Sequence, residues 1–446
     1  MGSSVPVKDA VLVLPSEPTP SKILPLSALD SQLFLGFTIE YLLLYKPRPG
    51  LDRGQVTARL KGALAKALVP YYPLAGRVKA KPDCSRLEVL CQPQGALFIE
   101  AVAEHVVIGD FERPPKHVME WQGLLSLQAA DVLKEAPPLV VQLTWLGDGA
   151  AALAVGIKHC LCDGIGSAEF LNSFAELAKL GRVALKLRPK VKTVWDRHLM
   201  DPPMPRRLPS GGVHSSGGQA HPEFKRVPDL CSFTSRFTNE RLIPTSITFN
   251  RASLVELKRL ASSTGRSSDS AFTSFEVVTA HIWRSWARSL NLPPNQTLKL
   301  LFSVNVRNRV KPSLPSGYYG NAFVLACAQA SSKDVAEKGL GFATMLVKKA
   351  KDRVDDEYVR TVVETVSESR ACPDSVGVLI VSQWSRLGLD RVDFGMGRPV
   401  NVGPVCCDRY CLLLPVHDRS DAVKVMVALP ASAAERYECL VKSPCT

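Results

Sequence analysis

A segment rich in proline, glycine and serine divides this chain into two halves of similar length. It spans residues 202–222 and reads PPMPRRLPSGGVHSSGGQAHP. Such a composition cannot bury enough apolar area to order itself, so it predicts an exposed connector. A chain of 446 residues is also too long for one typical hydrophobic core. We therefore predict two domains, residues 1–195 and 236–446, joined by a crossover linker at 196–235.

Helical and strand patterns occur in similar proportion in both halves. In the first half, apolar residues recur every four positions and predict an amphipathic helix that begins at Asp52 or Gly54 and ends at Pro70. In the second half, the patterns predict helices at 251–263 and 273–290 and strands at 298–305 and 377–382.

A predicted hairpin leads directly to His159. Residues 138–146 and 151–158 predict two strands joined by a glycine-rich turn, and a helix is predicted over 167–180. His159 therefore lies on a strand-to-helix loop, where a rigid scaffold can present a side chain. A histidine with an ordinary pKa accepts a proton at neutral pH, as deprotonation of an alcohol requires. The alternative is a hydrogen-bonded core histidine without a chemical role.

Asp163 and two glycines lie on the same loop. The spacing does not fix the direction of the Asp163 carboxylate, which either orients the histidine or pairs with an arginine and holds the loop. Gly164 and Gly166 suit a tight turn or the close approach of a substrate. Cys160 and Cys162 are competing nucleophiles, but chain neighbours at a strand end point in different directions, and the Gly-x-Ser-x-Gly motif is absent from the sequence. We therefore expect direct transfer without a covalent intermediate.

A second unusual run, Asp393-Phe394-Gly395-Met396-Gly397, lies near the C-terminus. Two glycines around a bulky residue predict a sharply bent loop. The residues alone favour a structural hairpin that takes no part in catalysis.

The net charge of +13 restricts the classes of ligand. Basic proteins bind nucleic acids and anionic membranes through counterion release, but the lysines and arginines are scattered here and no nucleic-acid-binding motif is present. The charge suits anionic small ligands such as nucleotide phosphates, and a basic surface without a ligand explains it equally well. The cysteine groups 160/162 and 406/407/411 lack the paired spacing that zinc favours, so no metal site is predicted.

Neither a signal peptide nor a membrane span is predicted. The first residues lack a basic segment followed by an apolar run and a cleavage site, and charges or prolines interrupt every stretch of about 20 apolar residues. We expect a soluble, cytoplasmic protein whose twelve cysteines stay reduced. The glycosylation sequon at 295–297 is then a chance match.

The runs His159-Cys-Leu-Cys-Asp163-Gly164 and Asp393-Phe-Gly-Met-Gly397 together resemble the two signature motifs of the plant BAHD acyltransferases. Supporting runs agree in order and spacing over essentially the whole chain, at 72–77, 275–283, 305–309 and 317–321. The resemblance implies an α/β fold of two similarly sized chloramphenicol-acetyltransferase-like domains. Each would be a mixed sheet with helices, and a long crossover loop would join them. A channel between the domains would admit coenzyme A from one face and an acceptor alcohol from the other.

The resemblance also implies a role for each motif residue. His159 is the general base that takes the hydroxyl proton and later protonates the departing thiolate. Asp163 is structural and pairs with an arginine, for which Arg307 is the first match and Arg309 is the rival. The 393–397 loop shapes the channel at a distance from the reacting atoms.

The acceptor stays open at this point. The runs at 303–323 and 382–400 are similar both to alcohol acyltransferases that form volatile esters and to relatives that esterify ω-hydroxy fatty acids or fatty alcohols with hydroxycinnamoyl groups. Simple aliphatic or aromatic alcohols are our first expectation. The family usually has tryptophan where this chain has Met396, and the smaller side chain packs less rigidly or leaves more room.

Three further expectations follow from the resemblance: acyl-CoA as co-substrate, no cofactor, and a monomer. Two rival functions are a catalytically silent protein of this fold and a hydrolase that releases acyl groups to water. The intact His159 and Asp163 count against the silent protein.

Overall fold

Strands and helices are mixed along the whole chain. The computed structural model describes residues 5–82, 86–125, 136–180, 192–203, 221–263 and 271–443. The strands are β1 (Val7–Val13), β2 (Lys22–Pro25), β3 (Thr38–Tyr45), β4 (Arg77–Ala80), β5 (Leu87–Cys91), β6 (Ala96–Ala103), β7 (Leu139–Leu146), β8 (Ala151–Lys158), β9 (Leu242–Phe249), β10 (Thr297–Asn305), β11 (Phe323–Ser331), β12 (Val378–Gln383), β13 (Asn401–Gly403), β14 (Cys411–Leu414) and β15 (Val423–Pro430). The helices are α1 (Arg53–Ala67), α2 (Gly164–Leu180), α3 (Phe233–Asn239), α4 (Arg251–Ser262), α5 (Ser274–Leu290), α6 (Ser332–Glu337), α7 (Leu340–Asp352), α8 (Asp356–Ser369) and α9 (Ala431–Lys442).

Two large sheets of mixed strand direction organise the fold. The first has the strand order β1-β6-β7-β8-β3-β13, and the second has the order β11-β10-β12-β14-β15-β9. Strands β6 and β7 run parallel in the first sheet, as do β10, β12 and β14 in the second, whereas the other neighbours are antiparallel. Helices α1 and α2 pack in the core of the first sheet, and α5, α7, α8 and α9 pack in the core of the second. The predicted α/β fold with two mixed sheets is confirmed.

A short strand from the second half completes the first sheet. β13 pairs antiparallel with β3, so that Asn401 lies opposite Leu44 and Gly403 lies opposite Leu42. Phe394 and Met396 pack in the core of the same sheet. The two sheets are therefore not built from separate halves of the chain. The domain limits near residues 195 and 236 stay a prediction, and residues 204–220 of the linker lie outside the described residues.

Several local predictions hold to within a few residues. Asp52 caps α1, since its side chain accepts a hydrogen bond from the backbone N–H of Gln55. Strands β7 and β8 and the helix α5 occur where they are predicted. Helix α2 begins at Gly164 rather than at residue 167, because the Asp163 carboxylate accepts a hydrogen bond from the backbone N–H of Gly166 and so acts as its cap. Among the described residues, every helix is too short or too polar to cross a membrane.

Candidate active site

His159 lies at the end of β8, a strand bordered by β7 and β3. Small and apolar residues keep β8 buried along nearly its whole length, so the strand that carries His159 is rigid. The backbone N–H of His159 donates to the carbonyl oxygen of Phe37 at 2.9 Å. One turn of 3-10 helix, His159–Leu161, then leads the chain toward α2.

Asn321 determines which nitrogen of the His159 ring carries the proton. Its Nδ2 group donates to the carbonyl oxygen of His159 at 2.8 Å and to Asp30 Oδ1 at 2.9 Å, so both of its hydrogens are used. The amide oxygen of Asn321 must then face Nδ1 of His159, 3.1 Å away. Because an amide oxygen only accepts hydrogen bonds, Nδ1 carries the proton and Nε2 carries the free electron pair. The hydrogen-bond network therefore leaves Nε2 as the basic atom.

Aromatic rings surround the half-buried imidazole. The ring centroids of Phe37 and Phe323 lie 5.1 Å and 5.8 Å from that of His159. Burial lowers the pKa of His159 below its ordinary value, and it outweighs the hydrogen bonds and the charge of Asp163, which act in the opposite direction. The imidazole is therefore neutral at neutral pH and able to accept a proton.

The Asp163 carboxylate binds Arg307 rather than His159. Arg307 donates from Nη1 to Oδ2 at 2.7 Å and from Nη2 to Oδ1 at 3.1 Å. The backbone N–H groups of Gly166 and Ala322 donate to the same two oxygens. Burial by itself would raise the pKa of Asp163, but the charge and hydrogen bonds of Arg307, together with the two backbone N–H groups, outweigh it and keep the pKa below its ordinary value. With four donors bound, this carboxylate fixes the loop.

The other residues of the loop do not supply a nucleophile. Arg309, the rival partner of Asp163, donates instead to the carbonyl oxygens of Lys351 and Val354. Cys160 and Cys162 are buried, and burial raises their pKa values to about 12 and about 11, so both are neutral thiols.

Close packing requires a glycine at position 166 and leaves little room for a side chain at position 164. A Cβ atom at Gly166 would lie 2.7 Å from Cys162 Cβ. A Cβ atom at Gly164 would lie 3.3 Å from a methyl carbon of Leu387. A larger side chain at position 166 would therefore push α2 away from the loop.

A buried ion pair lies behind the histidine. Arg197 Nη1 is 2.7 Å from Asp30 Oδ2, and neither side chain is more than 2% exposed. The other terminal nitrogen of Arg197 donates to the carbonyl oxygen of Leu161 at 2.8 Å. Asp30 Oδ1 accepts from the backbone and side chain of Asn321. The pair thus holds both the turn that follows His159 and the amide that orients its ring.

The 393–397 loop is a bent structural element, as its residues predict. Asp393 Oδ1 accepts from the backbone N–H groups of Gly395 and Gly397 at 2.8 and 2.9 Å, and Lys179 pairs with the other carboxylate oxygen. Both glycines have φ near +90°, a conformation that side-chain-bearing residues rarely adopt. Met396 is buried in the hydrophobic core of the first sheet. Within the described part of the chain, the hydrogen bonds and the ion pair of this loop are made inside the loop and with Lys179 and Arg59, and not with His159.

The sequence does not predict Asp30, Arg197 or Asn321 as site residues. Asn321 at least lies in a run that resembles the family motifs, and this is the one local signal. Its partners His159 and Asp30 lie 162 and 291 positions away along the chain, and such distant pairs leave no pattern of spacing. Within the described residues, no cluster of three His, Cys, Asp or Glu side chains is placed to hold a metal ion.

Known proteins resemble this chain over nearly its whole length. An omega-hydroxypalmitate O-feruloyl transferase of Arabidopsis thaliana is 32% identical over 438 residues, covering 97% of this chain and 91% of the relative. Alcohol acyl transferase 1 allele GSa of Malus domestica is 33% identical over 438 residues, covering 96% and 91%. A fatty alcohol:caffeoyl-CoA acyltransferase of Arabidopsis thaliana is 30% identical over 439 residues, covering 97% and 96%.

Solved structures share the fold. Vinorine synthase superposes with a TM-score of 0.73 at 21% identity and covers 97% of this chain and 96% of its own. The F. sporotrichioides TRI101 structure superposes with a TM-score of 0.69 at 16% identity, covering 94% and 97%. A family model described as the Transferase family matches residues 3–439. The chain therefore belongs to this Transferase family, the BAHD acyltransferases whose motifs it carries.

Proposed function

We propose that this protein transfers an acyl group from a coenzyme A thioester to the hydroxyl of an alcohol, with Nε2 of His159 as the general base. The observation that carries the proposal is the contact between Asn321 and Nδ1, which leaves Nε2 as the basic atom. The lowered pKa of the imidazole supports it, since the base is then already deprotonated when the substrate binds.

The proposed reaction needs one residue that moves a proton twice. Nε2 takes the hydroxyl proton while the alcohol oxygen attacks the thioester carbonyl carbon. The tetrahedral intermediate then collapses, the C–S bond breaks, and the imidazolium returns the proton to the thiolate, which leaves ester and free coenzyme A. No cofactor, metal ion or cysteine nucleophile takes part in these steps. We propose that Asp163 and Arg307 hold the loop and do not touch the reacting atoms.

The acceptor we propose is a simple aliphatic or aromatic alcohol, which would give volatile esters. The alternative is a hydroxycinnamoyl donor with an ω-hydroxy fatty acid or a fatty alcohol. The named activities of the relatives support both readings. The apolar rings of Phe37 and Phe323 beside the base suit an apolar acceptor of either kind. We propose that the protein acts as a monomer and that the reaction takes place in the cytoplasm.

The proposal is tested by measuring coenzyme A release from the purified protein. Acetyl-, benzoyl- and hydroxycinnamoyl-CoA are each combined with short aliphatic, aromatic and long-chain alcohols, and the products are identified by mass. Ester from short or aromatic alcohols would support the first reading, and product only from hydroxycinnamoyl donors with long-chain acceptors would support the alternative. Release that does not depend on alcohol would indicate a hydrolase, and no release would indicate a silent protein.

The acid limb of kcat/KM should be centred below pH 6.5, the ordinary pKa of histidine. Because the folded protein lowers the pKa of His159, more than half of the imidazole is still neutral at the ordinary value, and kcat/KM should fall to half of its plateau only at a lower pH. The measurement is kcat/KM over about pH 5 to 8, within the range in which histidine titrates. A His198→Gln variant, which changes an exposed histidine, should give the same profile. An acid limb centred above pH 6.5 would contradict the assignment.

Asp163→Asn should damage the fold more than the chemistry. The variant leaves Arg307, which is 15% exposed, without its counter-ion, and we expect a loss of about 2–4 kcal/mol in the free energy of unfolding. The measurement is a urea unfolding midpoint, with Asp352→Asn as control because it breaks an exposed pair with Lys348. A variant that unfolds like the wild type but is inactive would instead show that Asp163 acts directly in catalysis.

A further inference from the structure

A basic groove lies between α5, α6 and α9 of the second half. Its volume is about 440 Å³. Arg284 and Arg288 of α5 and Arg436 of α9 line it, and Glu337 of α6 is the carboxylate among its lining residues. Three arginines and one glutamate leave a net charge of +2. None of these residues belongs to the surroundings of His159 described above, so the groove is distinct from the candidate active site.

Arg284 is held in the groove at a cost in free energy. Its Nε atom is buried without a hydrogen-bond partner, and a buried donor without an acceptor is destabilising. Arg288 lies one turn further along α5, where like charges repel. Burial, together with the charge of Arg288, lowers the pKa of Arg284 below its ordinary value. Within the described chain, neither Arg284 nor Arg436 forms an ion pair with a carboxylate. A bound anion would offset both costs.

We infer that this groove binds a compact anion through a phosphomonoester or diphosphate group. Guanidinium groups donate paired hydrogen bonds to phosphate oxygens, and their planar geometry fits them. The net positive charge of the lining favours a multiply charged anion. Asn291 and Ser332 also line the groove and add neutral hydrogen-bonding groups. The described lining contains no aromatic side chain on which a nucleobase could stack, so the phosphate is the recognised part of the ligand.

The test is a calorimetric titration of the full chain with inorganic pyrophosphate. Coenzyme A carries phosphates of its own, so the titration is done both without and with saturating coenzyme A. The variants are Arg436→Gln and Arg284→Met, with Arg419→Gln as a matched control, because Arg419 is exposed and lies outside the groove. A parallel arm measures binding to phosphatidylcholine vesicles with and without phosphatidate, which distinguishes a lipid headgroup from a free phosphate.

We expect one pyrophosphate site that persists with coenzyme A bound. Arg436→Gln and Arg284→Met should each weaken it about tenfold, the loss of one charge-assisted interaction, and Arg419→Gln should leave it unchanged. The same pattern on phosphatidate vesicles alone would support the site and assign the phosphate to a lipid. Equal binding by the wild type and both groove variants, or binding that coenzyme A abolishes, would overturn the inference. Because the readout is binding, the result does not depend on the proposed reaction.

Discussion

Replacement of His159 by alanine is expected to lower kcat/KM by about a hundredfold to ten-thousandfold, the usual contribution of a general base. The fold should persist, because the side chain makes one hydrogen bond to Asn321 and ring contacts with Phe37 and Phe323. The measurement combines steady-state kinetics with thermal unfolding of the same preparations. Added imidazole should restore part of the rate, since the variant leaves a cavity beside Asn321 that can accommodate the imidazole ring.

The control for this experiment is His198→Ala, which removes an exposed histidine outside the site. It should retain wild-type kinetics. If His159→Ala kept most of the wild-type rate, or if it lost activity only because it unfolded, the assignment of the base would be wrong.

Arg197→Met is expected to lower the free energy of unfolding by about 3–5 kcal/mol, the typical cost of leaving one buried charge without its partner. The uncompensated charge is that of Asp30, which is fully buried. The carbonyl oxygen of Leu161 also loses its donor. The measurement is the urea midpoint of unfolding at constant pH.

A double variant separates the charge effect from lost packing. Asp30→Leu combined with Arg197→Met removes both charges and should be more stable than Arg197→Met alone. Lys442→Met is the matched control, since it breaks an exposed pair with Glu438 and should change little. If the Arg197→Met variant were as stable as this control, the result would show that the buried pair does not stabilise the fold.

Local structure around the candidate base could be predicted from the sequence because it depends on neighbouring residues. The hairpin of β7 and β8 follows from alternating apolar runs and a glycine-rich turn, and it places His159 at a strand end. The bent 393–397 loop follows from the positions of Gly395 and Gly397. The roles of the motif residues follow from the family resemblance, and the kinetic experiments above test them.

The network behind the base could not be predicted, because its members are far apart in the chain. Spacing alone left the direction of the Asp163 carboxylate open, and the structure shows why: its partner Arg307 is 144 positions away. The same holds for Asp30, whose contacts with Arg197 and Asn321 span 167 and 291 positions. The strand β13 is short and pairs with a strand of the other half of the chain. No local sequence pattern therefore predicts it.

The position of β13 bears on how the protein is made. β3 is an almost fully buried, apolar strand, and it would be the edge of the first sheet until residues 401–403 pair with it. On the ribosome, about nine-tenths of the chain must be synthesised before that strand is available. During this interval the nascent first half exposes an unpaired apolar edge, which is the kind of surface that aggregates or recruits chaperones. The first half expressed alone would keep that edge permanently.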